Sequence, residues 1–356
     1  MSEGGWHRAD LAIRNSDCEF EKGKKFCDLG MERAENGEYK NSNIRHLISD
    51  ICSLSSVICT LTSVICSLFS VIRHLKSGAT MPELPEVQTI VDDLNAAKLI
   101  GIPIVAARVF WRRTIAEPSV RMFCRWIKGQ NFKAIRRRGK YLVFEVADGH
   151  TMLLHLRMSG RLHLVSANVP RNKHEHVIFS FEDGRQLRFH DTRKFGRLHL
   201  LEDPKKILDR LGPEPLAAGF TAKTLTKGLK HRKRLLKPFL LDQTFIAGLG
   251  NIYADEALWE AKLHPCRLAA SLSTSEIKVL HRNIRRVLKR GLNNLGTTLG
   301  TGKGNFYSVA NRRGRNKDLL KVFRRTDLPC PRCRSPIERI IVGQRSTHIC
   351  SRCQKV

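Results

Sequence analysis

Apolar residues alternate with polar ones at Val177, Phe179 and Phe181, the pattern breaks at Asp183-Gly184, and it resumes at Leu187 and Phe189. A period of two on both sides of an Asp-Gly pair predicts a β-hairpin. Phe132–Arg138 and Tyr141–Val146 flank Gly139-Lys140 in the same way, and short runs of this kind continue from about residue 103 to 200. Such a succession suggests a β-sandwich or barrel. The period then lengthens. Pro238 suits the first turn of a helix, where its missing N–H costs nothing, and Phe239–Ile246 can continue it. Gly248-Leu249-Gly250 interrupts that helix, and Asn251 is placed to cap a second over Ile252–Ala261. Ser273-Thr274-Ser275-Glu276 has the form of a capping box, and Ile277, Leu280, Ile284, Val287 and Leu288 fall on one face of the helix after it. Near the end, Ile337–Val342 and Ser346–Ile349 predict a hairpin that turns at Gly343-Gln344-Arg345.

The first eighty residues follow another rule. Residues 42–76 repeat with period seven, as SNIRHLI, SDICSLS, SVICTLT, SVICSLF and SVIRHLK. The units lack the complementary charges that flank the apolar seam of a coiled coil. The uncharged run Ile51–Ile72 has the length of a membrane span, but eight of its 22 residues are Ser or Thr. It also lies too far in for an ordinary signal peptide. The reading adopted is a tandem DNA repeat, upstream of the true start, translated by error into a disordered or non-native extension. A membrane anchor and a coiled coil are the alternatives.

Charge divides the chain at the same place. The whole carries 63 Lys and Arg against 33 Asp and Glu, a net +30; residues 1–80 hold ten of each sign, so residues 81–356 carry all of the excess. A basic region of this size with a core of its own points to a polyanion, above all nucleic acid. The cysteines divide too. Five lie at Cys18, Cys27, Cys52, Cys59 and Cys66, two stand alone at Cys124 and Cys266, and four are grouped at the end. That grouping suits a reducing compartment better than a disulfide scaffold.

The terminal group reads Cys330-Pro331-Arg332-Cys333, sixteen residues, then Cys350-Ser351-Arg352-Cys353. Two CxxC pairs at this separation signal tetrahedral zinc. Four thiolates leave no open coordination position, so the metal is structural and catalysis lies elsewhere. The finger can hold Arg345 at a hairpin tip, aimed at a phosphate. Backbone amides at a helix start attract phosphate, which makes Asn251 a candidate ligand, although a plain Asn cap explains it equally well. The loops His155–Gly160 and Asp191–Gly196 carry Met158 and Phe195, which can act as wedges between base pairs. The competing reading places both in the core.

Taken together, MPELPEV at Met81–Val87, RRRGKYLVFEV, HLRMSG, KHEHV, DTRKFG, LDQTFIAGLGNIYADEAL and the CxxC-x16-CxxC finger resemble the formamidopyrimidine-DNA glycosylase family, in order and spacing, across residues 81–356. The resemblance implies an α+β protein with an N-terminal β-sandwich, a helical helix-two-turn-helix domain and a C-terminal zinc-finger hairpin. On that reading residues 1–80 are the extension, 81–213 the catalytic domain, 214–318 the helix-two-turn-helix DNA-binding domain and 319–356 the zinc finger. It implies base-excision repair. Oxidised purines (8-oxoguanine, formamidopyrimidines) are removed from double-stranded DNA, and the abasic site is cleaved by β,δ-elimination through a Schiff base on Pro82. Glu83 resembles the family's acid/base residue, acting on the sugar ring oxygen, and Glu86 a carboxylate that shapes the site. Lys140, Asn251 and Arg345 resemble the set that grips phosphates. Met158, Arg193 and Phe195 resemble the trio that fills the gap left by the flipped base, and His155 and His176 are candidates for backbone contact. One structural Zn2+, a monomer, a cytoplasmic (in a bacterium, nucleoid-associated) location and no membrane partner complete the expectation. By the same resemblance, leucine rather than glycine after Glu83, here Leu84, points to the purine branch and away from a sister enzyme for oxidised pyrimidines. A non-catalytic damaged-DNA-binding protein is the alternative from another class.

One difficulty comes with the resemblance. In the 356-residue chain the Pro82 nitrogen is a tertiary amide, with its lone pair delocalised, and cannot form a Schiff base. The expectation is that translation starts at Met81 and the methionine is then removed; exposure of Pro82 by a protease and an inactive product are the alternatives.

Overall fold

A computed structural model describes residues 81–230, 232–300 and 305–356. The heptad repeat and the readings attached to residues 1–80 lie outside the described residues. The first described helix, α1 (Leu84–Ala96), packs its apolar side on the β layers. The strands that follow are β1 (Ile104–Val109), β2 (Ile115–Glu117), β3 (Phe132–Arg138), β4 (Tyr141–Val146), β5 (Thr151–His155), β6 (Gly160–Ser166), β7 (Glu175–Phe181), β8 (Arg185–Asp191) and β9 (Arg197–Leu201), with α2 (Val120–Ile127) between β2 and β3. They form two sheets, one ordered β1-β7-β8-β6 and the other β2-β9-β5-β4-β3, so the expected β-sandwich is present. Phe123, Phe132, Phe144, Phe179 and Phe189 fill the interior. Each such side chain removed from water contributes about 1.5–3 kcal/mol. The Asp183-Gly184 turn joins β7 to β8 with Phe179 opposite Leu187, as the alternation requires.

Helix α3 (Lys205–Leu208) packs Ile207 and Leu208 on the sheet beside Val143, Leu153 and Leu201. A second core belongs to the helices after it, α4 (Ala222–Leu229), α5 (Leu236–Leu240), α6 (Asn251–Glu260) and α7 (Thr274–Asn293). The capping box at Ser273 and Glu276 forms in both directions. Leu84, the first residue of α1, is buried in this helical core, although the rest of α1 serves the sandwich. The helix expected over Phe239–Ile246 stops at Leu240. The reason is Asp242: its carboxylate accepts from the backbone N–H and the hydroxyl of Thr244, an alternative to the helical ladder. The third core lies at the end of the chain, where Trp259 and Val322 meet Cys330, Ile337 and Cys350. Strands β10 (Glu338–Val342) and β11 (Arg345–Ile349) pair there, turning through Gly343 and Gln344.

Candidate active site

The start of α1 and the start of α6 face each other. Leu84 N–H donates to Gly248 O at 3.0 Å, which ties the two turns together. Glu83 caps its own helix in a capping box with Glu86. Its carboxylate then reaches across to the first amides of α6, with Ile252 N–H donating at 2.8 Å and Tyr253 N–H at 3.4 Å. The cap expected from Asn251 is thus supplied by a residue 169 positions away, and Asn251 becomes the first residue of the helix instead. Both glycines of the turn are required by this approach. Gly248 has φ +87°, and a Cβ at Gly250 would stand 2.3 Å from the Glu83 carboxyl carbon. Gln243 closes the turn, donating to Leu249 O and accepting from Gly248 N–H.

Burial governs the electrostatics. Glu83 is 1 % exposed, and desolvation pushes its pKa up to about 7, against the opposing charge of Lys140 and with that of Glu86. Burial likewise raises Glu86, whose carboxylate accepts from Glu83 N–H, Tyr253 O–H and Thr297 N–H. Its oxygens are committed to backbone and side-chain donors, so it holds the loop after α7 against α1. Lys140 sits at the turn between β3 and β4 and is also buried; desolvation lowers its pKa while Glu83 and Glu86 counteract. The three groups form a desolvated cluster in which both carboxyls and the amine are shifted toward their neutral forms.

One cleft of about 560 Å³ is lined by Glu83, Lys140, Met158, Phe195, Asn251 and Arg345, together with Met81. Pro82 is buried at its edge, where it borders a small crevice with Met158. The two loops that carry the remaining candidates are stapled by one carboxylate. Asp191, fully buried, accepts from the Ser159 hydroxyl, from Arg193 N–H at 3.1 Å and from Gly196 N–H at 2.7 Å. This brings Arg193 against Met158, with the guanidinium 3.2 Å from the sulfur and 4.9 Å from the centre of the Phe195 ring. Phe195 is 47 % exposed, so of the two readings of this loop the structure gives the surface one.

The two histidines stand differently. His155 is buried, its Nδ1 accepts from Arg157 N–H, and burial drives its pKa down to about 3, so the ring is a neutral brace for the loop. His176 is buried and bonded to Asp191 O at 2.8 Å. Neither lines the cleft. Arg157 and Arg197 do, and sequence reasoning passed over both. The signal available for Arg157 was its place between His155 and Met158, an extra basic residue in a loop already singled out.

Arg345 is the first residue of β11, beside the turn, and exposed. The finger that carries it is fastened to α5 and α6. Lys237, fully buried, pairs with Asp255 at 2.6 Å and donates to Ser346 O and the Thr347 hydroxyl. Asp255 also accepts from His348 N–H, and Asn251 donates its side-chain amide to Ser346 O at 2.9 Å. Glu256 accepts from the backbone N–H groups of Lys321, Val322 and Phe323. Helix α6 therefore receives Glu83 at its first turn and holds the finger along its length.

The sulfur atoms of Cys330, Cys333, Cys350 and Cys353 lie within 4.8 Å of one another, with Cys330 to Cys353 at 3.9 Å and Cys333 to Cys350 at 3.4 Å. Zinc bound to four thiolates at about 2.3 Å puts neighbouring sulfurs roughly 3.8 Å apart, so these residues fit the ion.

Three family descriptions match the chain: the formamidopyrimidine-DNA glycosylase N-terminal domain over residues 81–198, the H2TH domain of that glycosylase over 211–302, and the zinc finger found in FPG and IleRS over 327–356. The chain is 49 % identical over 275 residues to the formamidopyrimidine-DNA glycosylase of Protochlamydia amoebophila, covering 77 % of this chain and 100 % of the relative. To that of Desulforamulus reducens it is 46 % identical over 280 residues, covering 77 % and 99 %. Among solved structures, Lactococcus lactis Fpg in complex with DNA containing an abasic site is similar with TM-score 0.72 and 34 % identity. The same protein with DNA containing Fapy-dG is similar with TM-score 0.71 and 33 % identity. Each covers 77 % of this chain and 100 % of the solved one.

Proposed function

The chain belongs to the formamidopyrimidine-DNA glycosylase family, and from that premise we propose a residue-level mechanism in which Pro82, once its nitrogen is free, is the nucleophile of the cleft. The protein is a base-excision repair enzyme for oxidised purines in double-stranded DNA, with the abasic-site lyase activity characteristic of its family, and it carries one structural Zn2+. Among the described residues no helix is long and apolar enough to cross a membrane. We place its work on DNA in the cytoplasm, performed by a single chain.

In the first step the lone pair of Pro82 forms a bond to C1′ of the damaged nucleotide. The bond from C1′ to the base breaks, its electron pair leaves with the base, and the proton shed by the Pro82 nitrogen passes through solvent to the base. Glu83 in its carboxylic acid form gives its proton to the sugar ring oxygen as the ring opens, leaving an iminium at C1′. Loss of a proton from C2′ then expels the 3′ phosphate, a second elimination expels the 5′ phosphate, and water releases the enzyme from the sugar fragment. Lys140, Asn251 and Arg345 take phosphates around the extruded nucleotide, and Met158, Arg193 and Phe195 occupy the gap in the stack.

The observation that carries this reading is the position of Glu83. A carboxyl buried against the first amides of α6, with a pKa near 7, is poised to hold and surrender a proton beside Pro82. The test uses a chain beginning at Pro82 and duplexes carrying 8-oxoguanine or a formamidopyrimidine. Free base should appear by mass spectrometry together with strand scission leaving phosphate at both ends. Binding of damaged duplex without either product would favour the non-catalytic alternative.

A further inference from the structure

We infer that the outer face of α7 is a second duplex-binding surface, separate from the lesion cleft, which holds an undamaged DNA segment while the cleft is occupied. The inference rests on the DNA-repair reading above. The apolar face of α7, including Leu280, Ile284 and Val287, packs into the helical core with α6. At 100° per residue, Lys278, Arg282, Arg286 and Lys289 fall on the side opposite that face, in one stripe with spacings of four, four and three residues. All four but Lys278 line a groove of about 640 Å³ that runs along the helix. The groove shares no residue with the lesion cleft.

Other basic side chains of this helix are already engaged. Arg285 donates to Pro215 O and Ala217 O, and Arg290 pairs with Glu256 and Glu260. By contrast Arg282, Arg286 and Lys289 are exposed and enter no salt bridge among the described residues. No carboxylate lines the groove, and the one acidic residue of α7, Glu276, is bonded to Arg267. The neighbouring helix α4 adds Lys223 and Lys227, both exposed, and contains no acid. A stripe about 16 Å long, with exposed cations and no carboxylate along it, matches a phosphodiester backbone, whose charges recur every few ångströms. Its occupant is a duplex read without regard to sequence, since only phosphate-type contacts are offered. Holding a second segment shortens the search for the next lesion by letting the enzyme pass directly between strands.

The experiment uses the 356-residue chain with a short duplex carrying a tetrahydrofuran abasic analogue to fill the cleft, followed by a labelled undamaged duplex. The loaded enzyme should bind the second duplex in a salt-sensitive manner. The R282Q/R286Q/K289Q variant should bind it at least tenfold more weakly at low salt, with a slope of log affinity against log salt that is shallower by about 2–3. Its affinity for the abasic duplex should stay unchanged, which also reports that it folds. Equal binding of the undamaged duplex by the variant and the parent overturns the inference, as does an equal loss of affinity for the abasic duplex, which would make the stripe part of the cleft's own footprint. Failure of the abasic duplex to bind either protein counts against the cleft assignment; the comparison on undamaged duplex alone then still decides the stripe.

Discussion

Replacing Glu83 by Gln tests the proton inventory of the cleft. The amide keeps the size of the carboxylate and can still accept from Ile252 N–H, so the meeting of α1 and α6 should survive. What is lost is the ionisable proton. Burial sets the wild-type pKa at about 7, so Glu83 is mostly the acid below that value and mostly the carboxylate above it. A terminal amine titrates near ~8, so its neutral, nucleophilic fraction grows as pH rises toward and through that value. The productive form, acid at Glu83 and neutral at Pro82, therefore peaks between the two and is a minority of the enzyme there. The profile of kcat/KM for base excision, which reports the free enzyme, should rise up to about pH 7 and fall about tenfold per unit above roughly 8. In Glu83→Gln the fall should vanish, leaving a rise through the amine pKa to a plateau, with excision slower by about 100- to 10,000-fold. Affinity for damaged duplex should be kept. An abasic sugar can already present an aldehyde, so strand cleavage at a preformed abasic site should suffer less than excision. A variant within about threefold of wild type, or one that retains the alkaline fall, would remove Glu83 from the role of acid.

Three further changes address the supports of the cleft. Gly250→Ala should displace the Glu83 carboxylate from the α6 amides, because the added Cβ would stand 2.3 Å from its Cδ; excision should fall at least tenfold while zinc content stays at one per chain, and unchanged excision would mean that this approach is not needed. Asp255→Asn leaves Lys237 buried without its counter-ion and should cost about 3–5 kcal/mol in urea unfolding, whereas a loss under about 1 kcal/mol would show that the pair is not what fastens the finger. Cys350→Ser should release zinc and weaken DNA binding through the loss of a fixed Arg345, and equal affinity in the zinc-free protein would deny Arg345 a phosphate.

The zinc finger was legible in full, because two CxxC pairs and an intervening hairpin are local facts: four ligands, one turn, one metal. The hairpin around Asp183-Gly184 was legible for the same reason. The glycine turn was visible too, but its purpose was not. Gly250 is needed to admit a carboxyl from Glu83, and no window of sequence around residue 250 contains that partner. The same distance hid the true cap of α6 and left Asn251 credited with it. The helix after Pro238 is shorter than its apolar run Phe239–Ile246 suggests, because one Asp within that run offers the backbone another partner. The resemblance offers His155 and His176 for contact with the DNA backbone; in the structure His155 ends β5 and His176 lies in β7, both buried and each bonded to backbone of this chain. Arg157 and Arg197, which line the cleft together with Arg345, were indistinguishable in sequence from the many other arginines in a region of such charge.

The account turns on the Pro82 nitrogen, and borohydride reduction in the presence of DNA with an 8-oxoguanine tests it most directly. A chain whose first residue is Pro82 should be captured covalently, with the mass of the reduced adduct found on the N-terminal peptide. The 356-residue chain, its N-terminus verified intact, should give no adduct, because its Pro82 nitrogen remains an amide. Capture of that intact chain, or an adduct mapped to Lys140 in the chain that begins at Pro82, would contradict it.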